Sequence, residues 1–181
     1  MKEKLYCILL LILSLSCIQQ QKNAEDYQLD PEKIAKSVNI YRDHYGIPHI
    51  FGTTDEDVLF GFAFARAEDH FELIERAIIL AIGRSAEING KSAVDDDYTM
   101  RAFRIPKLAK EEYQNLDLKV KLLCDAYTAG LNYFLKVHPE VKPKLITHFE
   151  AWQLLAVDRY ILGKAGLEQT GLSKNGISDY I

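Results

Sequence analysis

Polar and apolar positions divide the chain into a leader, a polar connector and a series of amphipathic stretches. Residues 5–15 are almost all apolar; they follow Lys2 and Lys4 and stop at Gln19-Gln20-Gln21. That run is shorter than the ~20 residues a membrane-spanning helix needs. A basic start, an apolar centre and the small residues Ser14 and Ser16 are instead the composition of a secretion signal covering residues 1–16. Residues 17–37 are rich in Gln, Lys, Asp and Glu and lack apolar periodicity, which predicts a flexible tether. Val38-Asn39-Ile40-Tyr41 then alternates apolar and polar residues, and a second apolar run occupies 47–51. The turn-forming string Asp43-His44-Tyr45-Gly46 lies between them, so the two runs are predicted to pair as a hairpin.

Helical spacing takes over after the hairpin. Thr53-Thr54 followed by Asp55, Glu56 and Asp57 supplies a hydroxyl cap and three carboxylates for the positive end of a helix. No proline interrupts residues 58–82, and Gly83 offers a stop. Gly61, Ala63, Ala65 and Ala67 are small enough to let this helix lie close against a neighbour. Residues 84–97, with Gly90 and Asp95-Asp96-Asp97, are predicted to form a loop. Further helices are expected over about 107–115, 117–136 and 150–163. In the second of these, Val120, Leu123, Cys124, Tyr127, Leu131 and Phe134 share one face. In the third, Trp152, Leu155 and Ala156 do, with Tyr160 below them. His138-Pro139 and Pro143 separate the two helices. The predicted fold class is α+β, a mostly helical chain with a short N-terminal β-hairpin.

Composition narrows the function classes. The 181 residues are 48% hydrophobic and 27% charged, with a formal net charge of -4 and no basic run. That is a globular balance, and it gives no electrostatic support for a nucleic-acid partner. Of the three cysteines, cleavage after Ser16 leaves Cys17 as the new N-terminus, the position that lipoprotein processing modifies. Ser14 stands where Leu is usual, three residues before that cysteine. Cys124 reads as a small apolar residue on a helix face rather than a reactive thiol. His44 and His49 have no third metal ligand at a recognisable spacing, and Asp95 to Asp97 lack the alternation of a calcium loop. There is no G-x-S-x-G elbow, P-loop or dinucleotide fingerprint. Spacing alone leaves the function open.

One string is specific. Ile40-Tyr41-Arg42-Asp43-His44-Tyr45-Gly46-Ile47-Pro48-His49-Ile50 resembles the opening signature of the penicillin acylase family, N-terminal-nucleophile amidases that include acyl-homoserine-lactone acylases. Asp55, the stretch Phe60-Gly61-Phe62-Ala63-Phe64-Ala65, and Ala67-Glu68-Asp69 are similar to the family's next helix, although His70 replaces the usual Arg. Arg76 and the string Gly83-Arg84-Ser85-Ala86-Glu87-Ile88-Asn89-Gly90 also fit. So do Asp97 with Arg101, Ala126-Tyr127-Thr128-Ala129-Gly130-Leu131-Asn132, and Phe149-Glu150-Ala151-Trp152. The resemblance spans 38 to about 163.

The resemblance implies that residues 38–165 are an alpha-subunit segment of an αββα architecture, wrapped around a catalytic beta subunit of the same precursor. It implies that a helix near 151–166 lines part of the acyl pocket. It also implies a hydrolase that cleaves the amide of an acylated amine, while the leader makes it exported, periplasmic or held to the envelope by a lipid on Cys17. In the family a precursor cuts itself at Gly-Ser-Asn. The exposed serine's α-amino group, with a pKa of about 7.7–8, then serves as the nucleophile's own base. No such junction follows Gly163, and 166–181 read as a loop-like tail. Ser173 and Ser178 are read as loop residues, no catalytic residue is assigned, and the chain is expected to be inactive alone. No cofactor is expected in this chain. A calcium ion of the complete enzyme takes one carboxylate from this part of the family, at a position the resemblance does not fix. Asp43, Asp69, Glu87, Asp97 and Arg101 are read as structural contacts, with Asp97 and Arg101 placed to pair four apart on a helix. The alternative is a non-catalytic helical lipoprotein or the remnant of a split acylase gene.

Overall fold

The computed structural model describes residues 29–169, and their compact unit begins at Pro31. The hairpin is present. β1 (Asn39–Arg42) and β2 (Pro48–Phe51) run antiparallel, with Ile40 opposite Ile50 and Tyr41 opposite His49. Because side chains alternate along a strand, Ile40, Arg42, Pro48 and Ile50 are half-buried, while Asn39, Tyr41, His49 and Phe51 are exposed.

Part of the expected tether is ordered. Helix α1 (Pro31–Ser37) occupies its last seven residues. Pro31 fits a first helical position, where no amide partner is lost, and Ile34 is buried. Tertiary burial thus gives a helix to a stretch whose polar composition suggested none.

Helix α2 (Asp55–Ala81) is the long helix expected from the caps. The Thr54 hydroxyl accepts from the Asp57 amide, and Asp57 reciprocates at the Thr54 amide, a complete capping box. The helix is not continuous, however, because His70 leaves helical dihedrals at φ -149, ψ 40. The break falls between Asp69, bonded to Arg42 on the hairpin, and Phe71, stacked on Phe134. Two tertiary attachments therefore bracket a kink that no Pro or Gly marks. Gly83, at φ +67, closes the helix.

The predicted loop over 84–97 is mostly helical. Helix α3 (Ala86–Asn89), a 3-10 turn (Gly90–Ala93) and helix α4 (Val94–Ala102) follow one another. Asp95, Asp96 and Asp97 occupy the first turn of α4, where the helix dipole favours carboxylates. Helices α5 (Ile105–Gln114), α6 (Leu118–Val137) and α7 (Trp152–Gln169) complete the order. Helix α7 runs past residue 166, where the tail was expected to begin. The leader, Cys17, Ser173 and Ser178 lie outside the described residues. Among the described residues, no helix is long and apolar enough to cross a membrane.

Helix α2 is the hub, packing on α6, α7, α1 and the hairpin, while α5 lies against α7. Small residues make the closest approaches. A Cβ on Gly130 of α6 would sit 2.3 Å from the Phe60 carbonyl oxygen and 3.0 Å from Ala63 Cβ. One on Gly61 would meet Val38 and Ile50 at 2.5 and 2.8 Å. Phe71 stacks on Phe134 at 5.7 Å and meets Phe149 edge-on at 6.0 Å. The apolar face expected on α6 is buried only in its C-terminal half. Leu131 and Phe134 belong to the core, whereas Val120 is exposed.

Candidate functional site

The signature string is a turn locked from both sides. Asp43 accepts hydrogen bonds from the Tyr45 amide at 2.9 Å and the Ile47 amide at 3.0 Å, and its other oxygen lies 3.3 Å from His49 Nε2. Partial desolvation pushes the Asp43 carboxyl up, but the bonds from Ile47, His49 and Tyr45 outweigh it, so the group sits below the usual carboxylate range. Arg42 reaches the other way. Its guanidinium donates to the Gly46 carbonyl at 3.0 Å, to Glu68 at 3.0 Å and to Asp69 at 3.1 Å. Arg-Asp at the start of the string thus serves two tasks: Arg42 ties the turn to α2, and Asp43 shapes it. The His44 and Tyr45 rings meet at a tilt of 43°, their centroids 3.7 Å apart.

A second set of polar side chains aims α7. Glu75, only 2% exposed, accepts from the amides of Leu145 and Ile146 at 2.8 and 3.0 Å. Asn132 donates to the Phe149 carbonyl at 3.0 Å and accepts from the Phe149 amide at 2.8 Å. Two helices thereby hold the segment that leads into Trp152. On the other side, Arg159 of α7 bonds Glu112 of α5 at 2.7 Å. In the sequence, Asn132 belongs to a motif that gives it no role, and Glu75 belongs to none. Glu75 nevertheless falls in helical phase with Phe71, Ile74 and Ile78, and a carboxylate on a buried stripe is the signal that marks it.

Asp97 and Arg101 do not form the pair their spacing suggested. Asp97 is buried and accepts from the Ser85 and Ala86 amides at 2.7 and 2.8 Å, whereas Arg101 donates to the Gly83 carbonyl at 3.1 Å. Both serve the tight exit from α2, because the backbone groups there would otherwise be left without partners. Glu87 takes a two-pronged bond from Arg84. Cys124 is half-buried and free; burial first, and the charges of Asp125 and Asp158 next, push its thiol up, away from thiolate chemistry.

A groove of about 560 Å³ opens between α1, the C-terminal end of α5, α6 and the 148–152 segment. Four of its polar groups are engaged in pairs: Tyr113 donates to Asp125, and Lys136 pairs with Glu32. Burial and the Asp125 bond raise the Tyr113 hydroxyl well above its ordinary value. Lys110 lies over the Trp152 ring, 4.4 Å from its centroid. Among the described residues, two imidazole–carboxylate contacts exist, His49 with Asp43 and His138 with Glu140. Among the described residues, no hydroxyl or thiol is hydrogen-bonded to either imidazole, so these contacts do not assemble a nucleophile with its base. Nor do three or more His, Cys, Asp or Glu residues converge to hold a cation among the described residues, and none of them is assigned to a calcium ion.

The arrangement is a helical scaffold that fixes a hairpin at one place and aims a helix at another. That fold is shared with a solved chain, the thermostable penicillin G acylase from Alcaligenes faecalis. The two superpose with a TM-score of 0.60 at 20% identity, covering 78% of this chain and 88% of that one. The penicillin amidase family profile matches residues 37–172, and the chain belongs to that family. Relatives include the penicillin acylase 2 proenzyme of Pseudomonas sp. strain SE83 and the acyl-homoserine lactone acylase QuiP of Pseudomonas putida. Each is 31% identical over 102 residues, 56% of this chain, and the match covers 13% and 12% of the relative respectively. Penicillin G acylase of Escherichia coli is 26% identical over 104 residues, 58% of this chain and 12% of its own length. The matched region therefore spans about an eighth of these relatives.

Proposed function

We propose that this chain is the scaffold portion of an exported acylase that hydrolyses the amide bond of an acylated amine, with the catalytic chain supplied by further polypeptide. One observation carries the reading. The sequence match takes up about an eighth of the curated relatives, yet the structural superposition covers 88% of a solved acylase chain, so a segment of this size stands as a chain of its own in that enzyme. The described residues contribute shape to such an enzyme: a locked hairpin, and a helix α7 held by Glu75, Asn132 and Arg159. The nucleophile, its base and the donors that receive transition-state charge belong to the partner. Acyl selectivity follows pocket shape, and penicillins, acyl-homoserine lactones and similar amides are the substrate classes that the relatives' names suggest. Export follows the leader at residues 1–16, with Cys17 as the lipid-bearing residue.

The test is to express residues 17–181 alone and together with the polypeptide encoded downstream of Ile181. Both preparations are assayed on a phenylacetyl amide and on a long-chain acyl-homoserine lactone. Activity is expected only for the pair. Turnover by residues 17–181 alone overturns the assignment of the site to the partner. A downstream frame with no acylase-like coding region returns the reading to a non-catalytic lipoprotein or gene remnant.

A further inference from the structure

Helices α4 and α5 meet at an open corner. Residues 101–104, Arg-Ala-Phe-Arg, are all exposed, and Phe103 keeps 44% of its surface in solvent. Tyr98, on the same helix face as Ala102 one turn away, is 54% exposed. Among the described residues, Arg104 alone combines a side chain with a positive φ, 55° with ψ 27°. That left-handed region disfavours any residue that carries a Cβ, and glycine is its usual occupant. The Arg104 amide donates to the Arg101 carbonyl and its carbonyl accepts from the Leu108 amide, both at 2.9 Å. Among the described residues its guanidinium has no hydrogen bond or ion pair. A strained position of this kind is a reason to look for a use, and the side chain it presents is an unpaired cation.

Charge gathers at the same corner. Between Asp97 and Glu111 every charged residue is basic: Arg101, Arg104, Lys107 and Lys110, at three-residue steps in a chain of net charge -4. All four are exposed. Their other engagements are light. Arg101 donates to the Gly83 carbonyl, Lys107 stands 3.8 Å from Glu111, and Lys110 lies over the Trp152 ring. Of the acids around them, Asp95 and Asp96 lie in the first turn of α4, at its far end. Glu87 is near enough to Arg101 to feel its charge, and it is held by Arg84.

We propose that this corner is a membrane-surface contact, in which Phe103 enters the headgroup layer of a bilayer and Arg104, with Arg101, Lys107 and Lys110 beside it, meets anionic lipid headgroups. Apolar or aromatic side chains at headgroup depth flanked by cations are what an interfacial contact requires. No pocket is needed, and an exposed corner offers none. Screening confines the interaction to about 8 Å, so the surface meets the four local cations rather than the net charge of the molecule. Such a contact is reversible and salt-sensitive. It orients a chain that the proposed lipid on Cys17 already holds, and by itself it does not retain the chain on a membrane; a single acyl chain and a basic patch are complementary signals. The contact is independent of the acylase reading.

The test uses the mature chain, residues 17–181, prepared without its leader so that Cys17 carries no lipid. At low salt it is sedimented with vesicles of phosphatidylcholine alone and of phosphatidylcholine mixed equally with phosphatidylglycerol. Binding is expected to be at least about tenfold tighter to the anionic vesicles, and Arg104→Glu/Lys107→Glu is expected to weaken it by about tenfold or more. Phe103→Ser should weaken it severalfold, and Arg104→Lys should leave it as in the parent. Arg104→Gly separates strain from contact: it is expected to raise the melting temperature, because the left-handed backbone suits glycine, and to lower anionic-vesicle binding. Equal binding to the two vesicles, binding to neither, or binding that the Phe103 and Arg104 variants leave unchanged overturns the inference. If the double variant binds vesicles as the parent does but no longer associates with the polypeptide encoded downstream of Ile181, the corner belongs to a protein partner and the inference is also overturned. None of these outcomes bears on the proposed hydrolase.

Discussion

Glu75 shows how much one residue carries in this fold. A carboxylate on the buried side of α2 accepts two amides some seventy positions away in sequence, and among the described residues no other side chain accepts from those two amides. Glu75→Ala should therefore cost about 2–4 kcal/mol, because two inward amides lose their acceptor. Glu75→Gln, which keeps one carbonyl oxygen, should cost less than half of that. Urea unfolding of both variants checks the order, and an alanine variant as stable as the parent would refute it. Asp43 gives a pH signature. Its pKa is held down in the folded state, so its contribution is present above the unfolded carboxylate range and is lost as pH falls through the folded value. The Tyr45 and Ile47 amide resonances should accordingly titrate at a lower pH than those beside an unperturbed aspartate. Titration of those amides at an ordinary aspartate pKa would count against the turn geometry.

At the scale of elements, the contact of α2 with α6 is set by Gly130. Alanine is the better helix former by about 1 kcal/mol, so propensity alone predicts that Gly130→Ala stabilises the chain. The added Cβ would stand 2.3 Å from the Phe60 carbonyl oxygen, an overlap that backbone on both sides cannot relieve cheaply, and overpacking of this kind costs about 1–3 kcal/mol or more. The overlap should win, with a lower melting temperature for Gly130→Ala. A variant that melts higher would mean the helices are not this close. The element scale is also where sequence and structure part. Small residues on α2 announced close packing and the caps announced where α2 starts, whereas Gly130 stood in its motif without a packing role. The kink at His70, helix α1 and helices α3 and α4 were not announced, because each is held by partners distant in sequence: Arg42 with Asp69, Ile34 in the core, and Asp97 reaching back to Ser85 and Ala86.

For the whole molecule, the proposal makes the chain a scaffold delivered to the cell envelope. If Cys17 carries the lipid, Cys17→Ser should move the protein from the membrane fraction to the soluble periplasmic fraction, and mass spectrometry of the mature N-terminus should lose the acyl groups. An unmodified N-terminus in the parent would remove the anchor while leaving export intact. The sequence by itself determined the family, the hairpin and the sites of the long helices. These depend on local periodicity, capping residues and a contiguous string, all of which one chain displays in order. It also marked Arg42, Asp43, Asp97 and Asn132 as notable without saying what they hold. Only the tertiary structure decided that Arg42 binds α2, that Asp97 and Arg101 serve the backbone at the exit of α2 rather than each other, and that Glu75 and Asn132 aim α7. A buried polar group takes whichever unpaired partner the fold brings within about 3 Å, and that choice depends on how distant segments pack rather than on spacing along the chain.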